Sequence, residues 1–206
     1  MPIGLKGNSD GSGAIQIGGS DAISISTGLN TTFAGTITAT GTVAGTTGTL
    51  YPIVSGTAVS ATGTAIDFTG IPSWVERITV MFSGVSTNGT SAIQVQLGDS
   101  GGIENTGYTA GATSITASAV ASTSYTTGFG IRAGTAAADT YQGSIVLTNI
   151  SANTWVANGC MYATSGFFSA PFGGSKALSD VLTQVRITTV NGTDTFDAGT
   201  INILYE

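Results

Sequence analysis

Hydrophobic residues fall into two textures along this chain. Over residues 13–50 they are sparse and alternating: Ile15 and Ile17, Ile23 and Ile25, then Leu29, Phe33, Ile37 and Val43, with a glycine every few positions. That rhythm predicts strands and turns and offers no helical face. A single ribbon of this kind leaves most of its Ile and Phe side chains in water, and an isolated hairpin is marginal there. Three copies wound together bury them. The eight residues just named are therefore the expected apolar contacts of a trimeric β shaft. A Gly/Ser/Thr linker without fixed structure is the competing reading.

After Tyr51-Pro52 the alternation becomes longer and stricter. In residues 76–82, Ile78, Val80 and Phe82 share one face while Arg77, Thr79 and Met81 share the other, and residues 93–97 repeat the pattern. The intervening Ser86-Thr87-Asn88-Gly89-Thr90 contains an Asn-Gly step suited to a tight turn, which predicts that the two strands are hairpin neighbours. Residues 98–121, rich in Gly, Ala, Ser and Thr with a lone Tyr108, read as a long surface loop with one or two weak strands. Further strands are expected over residues 125–132, 142–149, 154–163, 184–190 and 200–205, and residues 177–182 are the one stretch suited to a short helical turn. Many short strands separated by turn signals predict two packed antiparallel sheets, a β-sandwich of jelly-roll kind. The chain then divides into an attachment peg (1–12), a trimeric β shaft (13–50) and a β-sandwich knob (51–206).

Composition sharpens this picture. The chain has 31 Gly and 8% charged residues, where about 7% Gly and about 25% charged are usual. Helix formers are scarce and pleat-tolerant residues abundant, so the expected fold is all-β. The net charge of −6, with five basic residues spread from Lys6 to Arg186, argues against nucleic acid as a partner. No apolar run is long enough for a membrane span and no signal segment is visible, so assembly in a cytosol-like compartment without membrane insertion is expected. The single cysteine, Cys160, cannot form an internal disulfide.

Candidate chemistry is limited. The sequence has no histidine, which removes the usual general base and the usual zinc ligand. Catalysis would have to use carboxylate pairs roughly 5–10 Å apart, and Asp67 with Glu76, Asp99 with Glu104, and Asp194 with Asp197 are close in sequence. Each pair lies at a strand end or in a loop, where solvated turn residues are the better reading, and no catalytic residue is assigned. The run Asn191 to Asp197 contains oxygen ligands suited to calcium, but Asx-turns in a hairpin account for the same residues, so no metal or cofactor is expected. Gly11-Ser12-Gly13 lacks the phosphate-cradling frame and reads as a hinge. Cys160 is expected as a small buried hydrophobe. Sugar rings stack on flat aromatic faces, and Tyr108, Tyr125 and Trp155 are the candidate surface contacts, with Tyr108 foremost and Trp155, which lies within a strand, read first as a core or subunit-interface residue. Trp74 is expected in the core or at a subunit interface, and Phe167, Phe168 and Phe172 are expected to cluster around Pro171 between subunits.

Three stretches carry a resemblance: residues 18–35 (GGSDAISISTGLNTTFAG), 66–88 (IDFTGIPSWVERITVMFSGVSTN) and 186–206 (RITTVNGTDTFDAGTINILYE). They resemble short-shafted appendage proteins of tailed bacteriophages, particularly those of aquatic and cyanobacterial phages. The resemblance implies a non-enzymatic homotrimer exposed on the virion. Its N-terminus would dock on the major capsid protein or another virion protein, and its outward knob would adhere weakly to host-surface glycan. The short chain, without a helical docking domain, suits a head fibre or capsid decoration better than a tail-fibre receptor-binding tip. A carbohydrate-active enzyme on a β-sandwich is the alternative of a different class.

Overall fold

The computed structural model describes residues 4–7, 13–16, 43–45, 48–133, 137, 139–164 and 168–206. The chain divides into two units, Met1–Val43 and Ala44–Glu206. In the first, β1 (Gly4–Gly7) pairs antiparallel with β2 (Gly13–Gln16), placing Leu5 opposite Ile15. The lead expected as a bare peg thus contains a strand, because its short Gly-Leu-Lys-Gly run finds a ribbon to pair with. Of the expected shaft contacts, Ile15 falls in β2 and Val43 in β3 (Val43–Gly45), which pairs with β4 (Gly48–Leu50). Ile17, Ile23, Ile25, Leu29, Phe33 and Ile37 lie outside the described residues.

The second unit continues with β5 (Val54–Ser55), β6 (Val59–Ser60), β7 (Ala65–Thr69), β8 (Arg77–Thr87), β9 (Ile93–Asp99), β10 (Gly102–Ile103) and β11 (Tyr108–Ile115). It is completed by β12 (Val120–Tyr125), β13 (Phe129–Gly130), β14 (Tyr141–Ser151), β15 (Thr154–Ala163), β16 (Phe168–Ala177), β17 (Gln184–Thr189) and β18 (Phe196–Tyr205). A nine-stranded sheet has the order β12-β11-β16-β15-β14-β8-β18-β5, with β6 also on β18. A five-stranded sheet has the order β10-β9-β17-β7, with β13 also on β9. The pairings are antiparallel, and no helix occurs among the described residues. The fold is all-β, as composition and alternation predict. Residues 177–182 form no helical turn; they cross from β16 toward β17, with Leu178 and Leu182 buried.

Both sheets feed one apolar core. Ile93, Val95 and Leu97 of β9, Val185 and Ile187 of β17, and Ile66 and Phe68 of β7 belong to the same cluster as Ile78 and Val80 of β8, Ile145 and Leu147 of β14, and Ile201 of β18. Each fully buried aliphatic side chain of this kind contributes about 1.5–3 kcal/mol. Period-two alternation is why these strands were readable in advance: the residues between them face outward.

One expectation fails and another holds only in part. β8 and β9 are not hairpin partners; β8 lies between β14 and β18, while β9 lies between β17 and the short β10 and β13. Both edges of β8 are taken by the long strands β14 and β18, so the Asn88-Gly89 turn carries the chain from one sheet to the other. It is anchored there by the facing loop: the Asn88 N–H donates to the Thr195 carbonyl at 2.9 Å and the Ser91 N–H to the Asp194 carboxylate at 2.8 Å. Residues 98–121, expected as a long loop with one or two weak strands, form β10, β11 and the start of β12, and β11 is more regular than expected because β12 and β16 pair with its two edges.

Glycine is required along one line across the large sheet. Register shifts between β14, β8 and β18 occur beside Gly143, Gly84 and Gly199, whose φ angles are 144°, 65° and 97°. A Cβ on Gly199 would lie 2.5 Å from backbone atoms of Gly84 and Val85. Bulges of this kind coil a sheet over its core.

Candidate functional site

The aromatic residues singled out from sequence belong to the interior, which corrects the surface reading of Tyr108 and Tyr125 and agrees with the core reading of Trp155. Tyr108 is 3% exposed, Tyr125 7% and Trp155 2%, so none offers a face to a surface ligand. Alternation in β11 and β15 turns Tyr108 and Trp155 to the core, and Tyr125 closes the end of β12. The Tyr108 hydroxyl sits beside β9 between the segments paired with β13 and β10. It accepts the Leu97 N–H at 2.7 Å and donates to the Glu104 carbonyl at 2.9 Å, while its ring meets Phe129 edge-on at 5.1 Å. Burial raises the pKa of Tyr108, and likewise that of Tyr141, well above the ordinary phenol value. The Tyr125 hydroxyl donates to the Arg132 carbonyl. Trp74 packs at the core margin, stacked on Tyr51 at 4.8 Å and tilted against Tyr205 at 6.0 Å. Phe172 is buried within its own chain; Phe167 and the Phe168 side chain lie outside what is described. Cys160 corrects another expectation: it is exposed on β15, with Sγ 3.0 Å from the Ser169 hydroxyl, because the alternation of β15 puts Met161 inside.

Among the carboxylates, Asp67, Asp99, Glu104, Asp194 and Asp197 each have a structural partner. Asp67 receives a bidentate pair from Arg186, with both contacts at 2.7 Å. Asp99 accepts the Gly101 N–H at 2.7 Å. Glu104 pairs with Lys176 and accepts the Ser179 N–H at 2.6 Å. Burial alone would raise the Glu104 pKa, but the hydrogen bonds from Lys176 and Ser179 and the ammonium charge outweigh it and hold the carboxyl at about 2. Asp194 accepts from the Asn191 amide at 2.7 Å and from the Ser91 N–H, which lowers its pKa. Asp197 accepts from the Ser86 hydroxyl. Asn191 Oδ1 takes the Thr193 and Asp194 N–H groups at 3.0 and 3.2 Å, an Asx-turn. Among the described residues no group of three or more His, Cys, Asp or Glu side chains could hold a metal ion.

The site that sequence reasoning missed lies on the outer face of the five-stranded sheet. Register sets its floor. Arg186 of β17 stands opposite Gln96 of β9 and Asp67 of β7, and Thr188 stands opposite Gln94 and Ala65. Strand β9 is buried along its whole length, so its outward glutamines are covered as well as its inward aliphatics: Gln94 is 2% exposed and Gln96 6%. The loop at Thr127 provides the cover. Gln96 Nε2 donates to the Thr127 carbonyl at 2.8 Å, and the Thr127 hydroxyl donates to Gln94 Oε1 at 2.9 Å. Gly128 lets this loop lie flat, since a Cβ there would be 2.7 Å from Gln94 Oε1. Together with Ile103, Asn105 and residues 189–192, these groups line an open cleft of about 370 Å³.

Among the described residues Arg186 is the only ionisable side chain lining the cleft, and the hydrogen bonds and charge of Asp67 raise its pKa further. The arrangement can therefore donate and accept hydrogen bonds. The alternating polar residues of IQVQL and QVRITT, taken as two outward faces of adjacent strands, were the available signal. Their pairing was not legible. Comparison with protein-family models, curated proteins and solved structures gives no match to any of them.

Proposed function

We propose that the protein is a non-enzymatic structural component of a tailed-phage particle, a homotrimeric head fibre or capsid decoration. In this reading the N-terminus docks on the major capsid protein or another virion protein. The segment 13–50 closes a shared apolar axis, and the body, read as a jelly-roll-like knob, faces outward and adheres to host-surface glycan. The non-enzymatic part is supported by the cleft, where among the described residues Arg186 is the one ionisable lining side chain and is paired with Asp67. Such a surface suits recognition and not turnover. The resemblance of residues 18–35, 66–88 and 186–206 to short phage appendages supports the virion part. Cryo-EM of intact particles tests it: copies arrayed over the head are expected, and copies confined to the tail tip favour the receptor-binding fibre instead. Sedimentation equilibrium of the Ile23→Ser, Ile25→Ser double variant tests assembly. Monomer release is expected, and an unchanged trimer removes the shaft from the reading.

A further inference from the structure

We propose that a small pocket lined by Trp155 receives the acetamido group of an N-acetylated sugar. This rests on the reading of the body as a glycan-adhesive part and names the place and the substituent. Three connections build the pocket: residues 70–76 between β7 and β8, the β14–β15 turn, and residues 178–183 between β16 and β17. Backbone hydrogen bonds tie them together. The Ile71 N–H donates to the Thr183 carbonyl at 3.0 Å, the Asn149 N–H to the Glu76 carbonyl at 2.8 Å, and the Leu178 N–H to the Asn153 carbonyl at 3.0 Å. Asn149 Nδ2 donates to the Ala152 carbonyl at 2.8 Å and fixes the turn. The walls are therefore set before any ligand arrives.

Trp155 carries the argument. It is 2% exposed and lines this pocket, and its indole Nε1 is buried with no hydrogen-bond partner among the described residues. Indole is a donor only, so what it lacks is an acceptor. A buried donor left without one is costly, and a group that brings a carbonyl oxygen recovers that cost on binding. The contact is through the indole N–H and not the ring face. The other lining residues select the rest of the group. Glu76, Asn149 and Asn153 bring side-chain oxygens, Val75 and Leu182 bring methyl groups, and among the described residues no Lys or Arg lines the pocket. A carboxylate or phosphate would meet Glu76 without a cation. An ammonium group cannot accept from the indole. An acetamido group meets all three conditions, because its carbonyl accepts, its N–H donates and its methyl is apolar.

Size and backbone pairing favour a sugar substituent over a peptide. The pocket is about 80 Å³, far below the roughly 300 Å³ of one that encloses a drug-sized ligand. It admits one branch and leaves the rest of the ligand outside, beside the exposed Ser73 and Glu76. An extended peptide gains affinity by adding to a free sheet edge, and here the Val75 N–H already donates to the Pro72 carbonyl and the Glu76 and Arg77 N–H groups to the Glu206 carbonyl. A single substituent makes a weak site, with Kd on the order of 1 mM. Repeated copies on a particle raise the effective strength.

The chain has two tryptophans, so its indole N–H signals in a ¹H–¹⁵N spectrum of the full chain test this directly. The signal that survives in Trp74→Phe belongs to Trp155. It is expected to shift during titration with N-acetylglucosamine and with chitotriose, and to respond about tenfold more weakly to glucose, to glucosamine and to an N-acetylated dipeptide amide. Trp155→Phe, which keeps a ring and removes the donor, should weaken chitotriose binding about tenfold as read by saturation transfer, with native circular dichroism as the check on folding. Where that variant does not fold, the ligand series on the wild-type chain decides alone. A Trp155 signal that stays still, one that moves equally with glucose or glucosamine, one that moves more with the dipeptide amide, or undiminished binding in a folded Trp155→Phe overturns the proposal. The titration uses the chain free of particles. Its failure therefore leaves the virion assignment standing, and a tail location on particles leaves the pocket standing.

Discussion

The two sheets have the same antiparallel construction, yet their outer faces are different surfaces. On the five-stranded sheet the loop at Thr127 folds over the outward row, so Gln94 and Gln96 become buried and are locked by named hydrogen bonds. On the nine-stranded sheet the outward row stays open. Met81, Ser144, Cys160 and Pro171 follow one another across β8, β14, β15 and β16, and Thr79, Val146, Asn158 and Gly173 form the next row. Outward polarity alone makes no site. A polar residue becomes specific when a second segment covers it, because burial turns an optional hydrogen bond into an obligatory one.

The largest effect is expected at the strut beneath the covered face. Lys176, on the large sheet, reaches Glu104, next to the cleft residues Ile103 and Asn105. Lys176→Met should cost about 3–5 kcal/mol in denaturant unfolding, since it leaves a partly buried carboxylate without its cation. The same pair sets an acid dependence. The folded pKa of Glu104, about 2, lies below the ordinary 4.5, so its contribution is complete above about pH 4.5 and is lost as pH falls through about 2. Glu104→Gln should flatten that part of the stability profile; an unchanged acid slope would remove the strut from this account.

A matched pair of substitutions sharpens the contrast between faces. Gln96→Leu should cost about 1–3 kcal/mol by orphaning the Thr127 carbonyl, whereas Asn158→Leu on the open face should stay within about 0.5 kcal/mol. Equal losses would mean that cover makes no difference. Arg186→Gln, which breaks a pair about one-third exposed on each side, should cost only about 0.2–1 kcal/mol. Smallest of all, Cys160→Ser should leave stability within about 0.5 kcal/mol, while the native wild-type thiol reacts with iodoacetamide without prior unfolding. A thiol protected until the protein unfolds would contradict the open face.

Where alternation was strict, strands were legible. Residues 142–149, 154–163 and 184–190 anticipate β14, β15 and β17 closely, because one apolar residue in two is enough to define an inward face. β16 was not legible: FSAPFGGSKA combines proline and two glycines, poor strand formers in isolation. It is a strand because β11 and β15 supply backbone partners along both edges. Tyr108 shows the same limit. Its neighbours in sequence are Gly, Thr and Ala, which suggest an exposed loop, yet its ring and hydroxyl complete the packing beside β9.

By itself, then, the order of residues determined the all-β character, the inward faces of the long strands and the scarcity of acid-base chemistry, since each depends on residue type and on spacing within a few positions. Only the tertiary structure decided which strands became neighbours, which aromatic rings were enclosed and where the glutamines were covered. Those outcomes depend on contacts between residues far apart in the chain, such as Arg186 with Asp67 and Lys176 with Glu104, and local spacing carries no record of them.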